Sequence, residues 1–112
     1  MGLTGGQAEE RACRYLKDLG YEIVARNWRC RFGEIDIVAR DQDVLVFVEV
    51  KARASGRFGG PEAAVDPVKQ GRLVSAARMF IQQTGAQLPA RFDVVAFVGE
   101  SVRLYKDAFR VD

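Results

Sequence analysis

Gly33-Glu34-Ile35-Asp36-Ile37-Val38-Ala39-Arg40, then Asp41-Gln42-Asp43, then Val44-Leu45-Val46-Phe47-Val48-Glu49-Val50-Lys51-Ala52-Arg53 is the stretch that decides the fold. Val44 to Val48 is a nearly continuous apolar run, the pattern of a strand buried on both faces. Alternate residues of a strand share a face about 6.5–7 Å apart. Glu49 and Lys51 therefore fall together at the end of the second run. In the first run Glu34 and Asp36 share one face, and Ile35 and Ile37 share the other. A turn of two to four residues over Asp41–Asp43 makes the two runs an antiparallel hairpin, and pairing about it brings Asp36 close to Glu49. Carboxylates and a lysine on the inner part of a sheet are costly unless paired or bound to metal.

That cost points to chemistry. The oxygens of Asp36 and Glu49, the carbonyl of Val50 and several waters suit Mg²⁺ or Mn²⁺, which prefer oxygen ligands and keep water. Such an ion polarises a phosphate and acidifies water. Lys51 lies where it can orient the nucleophile and offset negative charge. The plain alternative is a cross-strand ion pair with no function, since charges at strand ends are common.

Working outward, residues 4–19 read as a helix, with Thr4 and Gln7 as a capping box and Gly20 as its stop. Its apolar stripe is Ala8, Ala12, Tyr15, Leu16 and Leu19. Glu9 stands on or beside that stripe, with Ala12, Cys13 and Leu16 at helical spacing, so it points inward and can join the site. Glu10 faces Arg14 and Lys17 on the solvated flank. Tyr21–Cys30 reads as a strand. Ala52–Glu62, rich in glycine and carrying Arg53, Arg57 and Phe58, reads as a surface loop suited to closing on a ligand. A second helix is expected over Pro67–Thr84, capped by Asp66 and ended by Gly85. Lys69 sits at its start, near the end of the Glu49 strand, where a snorkelling lysine is the plain reading. Arg91–Val98 is a fourth strand, parallel to the third across the helix. Val102–Tyr105 adds a short edge strand. The order is α-β-β-β-α-β, with a final β.

At 112 residues the chain fits one domain, 1–112. There is no histidine, and Cys13 and Cys30 form no CxxC pair. Zinc sites and catalytic triads or dyads that need histidine are thereby excluded. Two lone thiols suit a reduced cytoplasm better than a disulfide, with Cys13 as core packing. No apolar run reaches the roughly 18 residues of a membrane span, and no signal-peptide core is present, so cytoplasm is expected and no membrane.

The net charge of +2 is too small to steer the whole molecule onto nucleic acid. The kind of cation says more, because arginine's planar fork suits phosphate. Arg26, Arg29, Arg53 and Arg57, with Lys69, are the candidate backbone contacts if they flank the carboxylates. Otherwise they merely solvate the surface. Trp28 and Phe58 read as a packing residue and a loop aromatic, with base stacking as the rival.

Ile35-Asp36 with Glu49-Val50-Lys51 resembles the PD-(D/E)xK nuclease superfamily, with isoleucine where the motif has proline. More closely, Gly6-Gln7-Ala8-Glu9, Gly20-Tyr21, Asn27-Trp28-Arg29, Gly33-Glu34-Ile35-Asp36, Phe47-Val48-Glu49-Val50-Lys51 and Arg91-Phe92-Asp93-Val94-Val95 match, in order, the recurring segments of the YraN-like bacterial family, covering nearly the whole chain. The family is similar in turn to archaeal Holliday-junction resolvases, which place acids as at Glu9, Asp36 and Glu49 and a lysine as at Lys51. The resemblance implies an α/β, restriction-endonuclease-like core: a mixed sheet of four to five strands with a helix on each side. It also implies a Mg²⁺-dependent nuclease acting on DNA, branched DNA included, with a homodimer as the assembly. Two rivals stand beside that reading. One is a nucleic-acid-binding module that keeps the nuclease fold without turnover; the other is a structural or adaptor protein whose acids are neutralised by arginines.

Overall fold

The computed structural model describes residues 3–53 and 65–109. Helix α1 (Gly5–Asp18) is followed by strands β1 (Glu22–Cys30), β2 (Gly33–Asp41) and β3 (Val44–Arg53), helix α2 (Pro67–Thr84), and strands β4 (Ala90–Val98) and β5 (Ser101–Phe109). The five strands form one mixed sheet in the order β1-β2-β3-β4-β5, with only the β3–β4 pair parallel. This is the expected fold class. Two elements differ by more than a residue at an end: β3 runs on through Ala52 and Arg53, where a loop was expected, and the last strand is nine residues long rather than four. Arg57 and Phe58 lie outside the described residues, as does the side chain of Arg53.

Local chemistry sets the element ends. The Thr4 hydroxyl accepts the Gln7 amide and the Gln7 side chain accepts the Thr4 amide, so two N–H groups that the first turn leaves unpaired are satisfied reciprocally. Asp66 caps α2 by accepting the Lys69 amide at 2.8 Å, satisfying one such group. Gly85 closes α2 in a left-handed conformation (φ 70°) that costs glycine little. Gln42 and Asp43 form a two-residue turn between β2 and β3, flanked by the Asp41–Val44 pair.

The sheet is covered on both faces. Against α2, Leu73, Ala76, Ala77 and Phe80 pack on Val38, Leu45, Phe47 and Val94. Trp28 joins this core, its ring centroid 5.3 Å from that of Phe80 in an edge-to-face arrangement, which makes it a packing residue. Against α1, Ala8, Ala12, Cys13 and Leu16 pack on Ile37, Ala39, Val46, Val48, Val95 and Phe97. Cys13 is part of that core, where burial pushes its thiol up from its ordinary value. Among the described residues no helix is long and apolar enough to cross a membrane.

β2 departs from simple alternation. Ile35 packs with Val38 in the α2 core, while Ile37 packs with Ala39 in the α1 core, so the two isoleucines do not share a face as expected. The side-chain rhythm slips across Asp36. The register of β1 places Asn27 opposite it, and Asn27 has a left-handed backbone (φ 51°). The left-handed Asn27 backbone coincides with the slip.

A second polar cluster lies on the α1 face, leading toward the Asp41 turn. Asp93 is fully buried. It takes the Arg91 guanidinium at 2.8 and 3.0 Å, the Tyr21 hydroxyl at 3.2 Å and the Asp107 amide at 2.9 Å. The pairing of β4 with β5 shifts register between Phe92 and Val94, and Asp107 adopts φ 53°. The bulge thus turns a backbone donor onto a carboxylate that must be satisfied. Arg91 also reaches Asp41 at 3.0 Å, tying β4 to the central hairpin.

Removing Asp93 leaves Arg91 partly buried with its main partner gone. Asp93→Ala should therefore cost about 3 kcal/mol in urea unfolding, and Tyr21→Phe about 1 kcal/mol. A loss below 1 kcal/mol for Asp93→Ala would show that the cluster does not hold the sheet.

Candidate functional site: an acidic cleft where β2 and β3 part

The β2–β3 ladder runs from Asp41–Val44 to Ile37–Val48. One step further it would pair Asp36 with Glu49. Instead, Asp36 Oδ2 accepts the Val50 amide at 2.9 Å, so the aspartate takes a donor from the neighbouring strand. Asp36 is partly buried and its carboxyl is pushed up to about 7, chiefly by burial and then by the charge of Glu49. The Val50 N–H opposes that rise without cancelling it, and Glu9 adds to it.

Glu9 comes in from the first turns of α1. Carboxylate oxygens of Glu9, Glu34 and Asp36 all lie within 4.8 Å of one another. Three hard oxygen donors at that separation fit a Mg²⁺- or Mn²⁺-like ion. Glu34 was not assigned a role from sequence. The available signal was its place two residues before Asp36, but Glu34 begins a strand, where a solvated carboxylate is the ordinary expectation.

Glu49, expected beside Asp36 as a metal ligand, is differently occupied. It is only 4% exposed, and its Oε1 accepts from Lys69 Nζ and lies 3.7 Å from Lys51 Nζ. Glu49 follows Leu45 and Phe47 on the α2 face, which is why the start of α2 reaches it. Lys69 is thus more than a snorkelling surface lysine. Burial alone would lower its pKa, but its hydrogen bond to Glu49 and the nearby carboxylates hold it above its ordinary value. Phe32, Glu34, Asp36 and Glu49 line one part of a cavity of roughly 640 Å³; Lys69, Arg72 and Leu73 of α2 line another.

Two of the other basic candidates, Arg26 and Arg29, have partners of their own. Arg29 binds Glu34 at 3.1 Å, and Arg26 binds Glu10 at 3.0 Å on α1. Both guanidiniums are well exposed, so these bridges contribute little stability and yield readily to another anion.

A family profile described as "Uncharacterised protein family UPF0102" matches residues 8–97. The chain belongs to this family. A UPF0102 protein of Nitrosococcus oceani is 44% identical over 96% of this chain and 92% of its own length. One from Ralstonia nicotianae is 49% identical over 97% and 88%. Among solved structures, Archaeoglobus fulgidus Hjc, a Holliday junction resolvase, superposes with a TM-score of 0.59 at 21% identity, over 91% of this chain and 76% of that one. That likeness shows a shared fold. The YraN-like family and the core expected from sequence are therefore both found.

The raised Asp36 carboxyl makes stability depend on pH in a definite direction. Unfolded, Asp36 releases its proton near 3.8; folded, near 7. The folded state's advantage at low pH is then lost as pH rises through about 7, when the carboxylate must ionise in its partly buried place. Asp36→Asn keeps an acceptor for Val50 and carries no charge. In metal-free buffer its Tm minus that of wild type should grow between about pH 4 and pH 8. A constant difference would show that Asp36 titrates normally.

Proposed function

We propose that this UPF0102 protein is a cytoplasmic Mg²⁺- or Mn²⁺-dependent endonuclease-like enzyme that hydrolyses phosphodiester bonds in DNA. The observation that carries this reading is the convergence of the Glu9, Glu34 and Asp36 oxygens within 4.8 Å, beside Glu49 and Lys51, where two paired strands separate. Carboxylates brought together from α1 and β2 repel one another, and a divalent cation relieves that repulsion.

Asp36 and Glu9 would hold the ion, joined by Glu34, with Glu49 and the Val50 carbonyl completing the set. The ion would supply Lewis acidity toward a phosphate and toward water. Lys51, two residues beyond Glu49 on the same face, would orient the attacking water and offset the charge developing on the phosphate. Lys69, Arg26, Arg29, Arg53 and Arg57 would bind the phosphates on either side of the cut, so affinity for DNA falls with salt. Contacts of this kind read backbone and shape, not bases. Branched DNA is the substrate suggested by the fold shared with a Holliday junction resolvase, and a homodimer is the assembly that this likeness suggests.

The clasp of Lys69 on Glu49 favours a second reading, a DNA-binding module that keeps the fold without turnover. The two part on Lys51: binding without catalysis survives its loss.

Labelled duplex, forked, four-way-junction and single-stranded DNA should therefore be incubated with the protein in Mg²⁺ or Mn²⁺. The wild type should cut at least one of them. Asp36→Ala, Glu49→Ala and Lys51→Ala, each verified as folded, should each lower the rate by roughly 10²-fold or more. If wild type cuts none of these, the enzymatic reading fails; salt-sensitive binding retained in Lys51→Ala would then establish the second.

A further inference from the structure

The charges of the cleft are unevenly shared. Three carboxylates, Glu9, Glu34 and Asp36, crowd together, yet Glu49, the most buried acid of the site, is left out of that group. Its Oε1 instead meets two ammonium groups, Lys69 and Lys51. A carboxylate this deeply buried needs a positive partner, and in the metal-free protein the lysines supply it.

Lys69 stands at the third position of α2, behind Asp66 and Pro67, with no acidic residue in the first turn. The partial positive charge of a helix N-terminus disfavours a cation there. Its placement therefore depends on Glu49. The Lys69 side chain is 40% exposed, so its stem has a route into solvent, and it lines the same cavity as Asp36 and Glu49.

We propose that Lys69 is a tethered counter-ion that competes with the divalent cation for Glu49, so that loading the metal and releasing this lysine are a single coupled event. The inference rests on the metal-dependent reading above and adds a regulatory element to it. Glu49 completes the metal set once Lys69 has left Oε1, because Lys69 is hydrogen-bonded to that oxygen whereas Lys51 stands off at 3.7 Å, and a divalent cation and a directly bonded ammonium on one oxygen repel each other strongly. Lys69 thereby acts as a positioning residue: its departure delivers Glu49, and the site stays neutralised until metal arrives. Lys51 remains on the strand beside Glu49.

The test is Mn²⁺ titration of purified metal-free protein by isothermal calorimetry, with wild type, Lys69→Gln, Lys69→Arg and Asp36→Asn compared. Lys69→Gln keeps a donor for Glu49 but loses the charge, so it should bind Mn²⁺ roughly tenfold tighter than wild type. Lys69→Arg keeps the charge and should stay within about twofold of wild type. Binding by Lys69→Gln when wild type binds none supports the same conclusion more strongly. Equal or weaker binding by Lys69→Gln overturns the competition while leaving the metal site intact, provided Asp36→Asn still loses affinity. Absence of binding in every protein overturns both the competition and the metal reading. Should Lys69→Gln fail to fold, Mg²⁺ titration of wild type under lysine-selective NMR decides: a shift of the Lys69 side-chain signals at saturation supports the competition, and unmoved signals overturn it.

Discussion

The bond between Asp36 Oδ2 and the Val50 amide is the constraint on which the rest of the cleft depends. It replaces the ladder partner that a continuing hairpin would have supplied and ends regular pairing one step early. Because a carboxylate accepts the amide, β2 and β3 separate without leaving a buried donor unpaired. The separation opens the cleft, and Asp36 and Glu34 meet Glu9 there. Were the ladder to run on, Asp36 would simply face Glu49 across the sheet.

The molecule handles buried charge in two ways, and the contrast bears on function. Asp93, fully buried, has two guanidinium contacts, a hydroxyl and an amide, with its bulge shaped to provide the last of these. That cluster is closed: its acids and cations satisfy one another, and it joins β4, β5 and the central hairpin. The Asp36 cluster is open. Its three carboxylates lie within 4.8 Å of one another, and Asp36, chiefly through burial and then through the charge of Glu49, holds its proton to higher pH. Glu34 also meets the exposed Arg29, and an arrangement this acidic is suited to a visiting cation, whereas the Asp93 cluster is satisfied within the protein.

Much of this was legible in the sequence, for identifiable reasons. The hairpin showed through because Val44–Val48 is unbroken and Asp41–Asp43 is polar, and both helices showed through because Thr4, Asp66 and Gly85 are strong local punctuation. Glu9 could be placed from helical spacing alone. What could not be read depended on twist or on long-range contact. Strict alternation put Ile35 and Ile37 on one face, and only the slip at Asp36 separates them. Lys69 looked like an ordinary helix-start lysine because its partner is twenty residues away across a parallel crossover. The Tyr21–Arg91–Asp93 network was visible only as fragments of a family pattern, since an aspartate inside an apolar strand does not announce its partners. The extension of β5 to Phe109 likewise rests on its pairing with Phe92 rather than on any alternation of its own.

The central claim is that acids from separate segments gather so that a divalent cation can sit among them. Crystals grown with Mn²⁺ and measured at a wavelength where manganese scatters anomalously test it most directly. The account predicts an anomalous peak within coordination distance of Asp36 and of at least one of Glu9, Glu34 and Glu49. A map with no peak there at saturating Mn²⁺, and with each of these carboxylates held instead by a lysine or arginine, would contradict it.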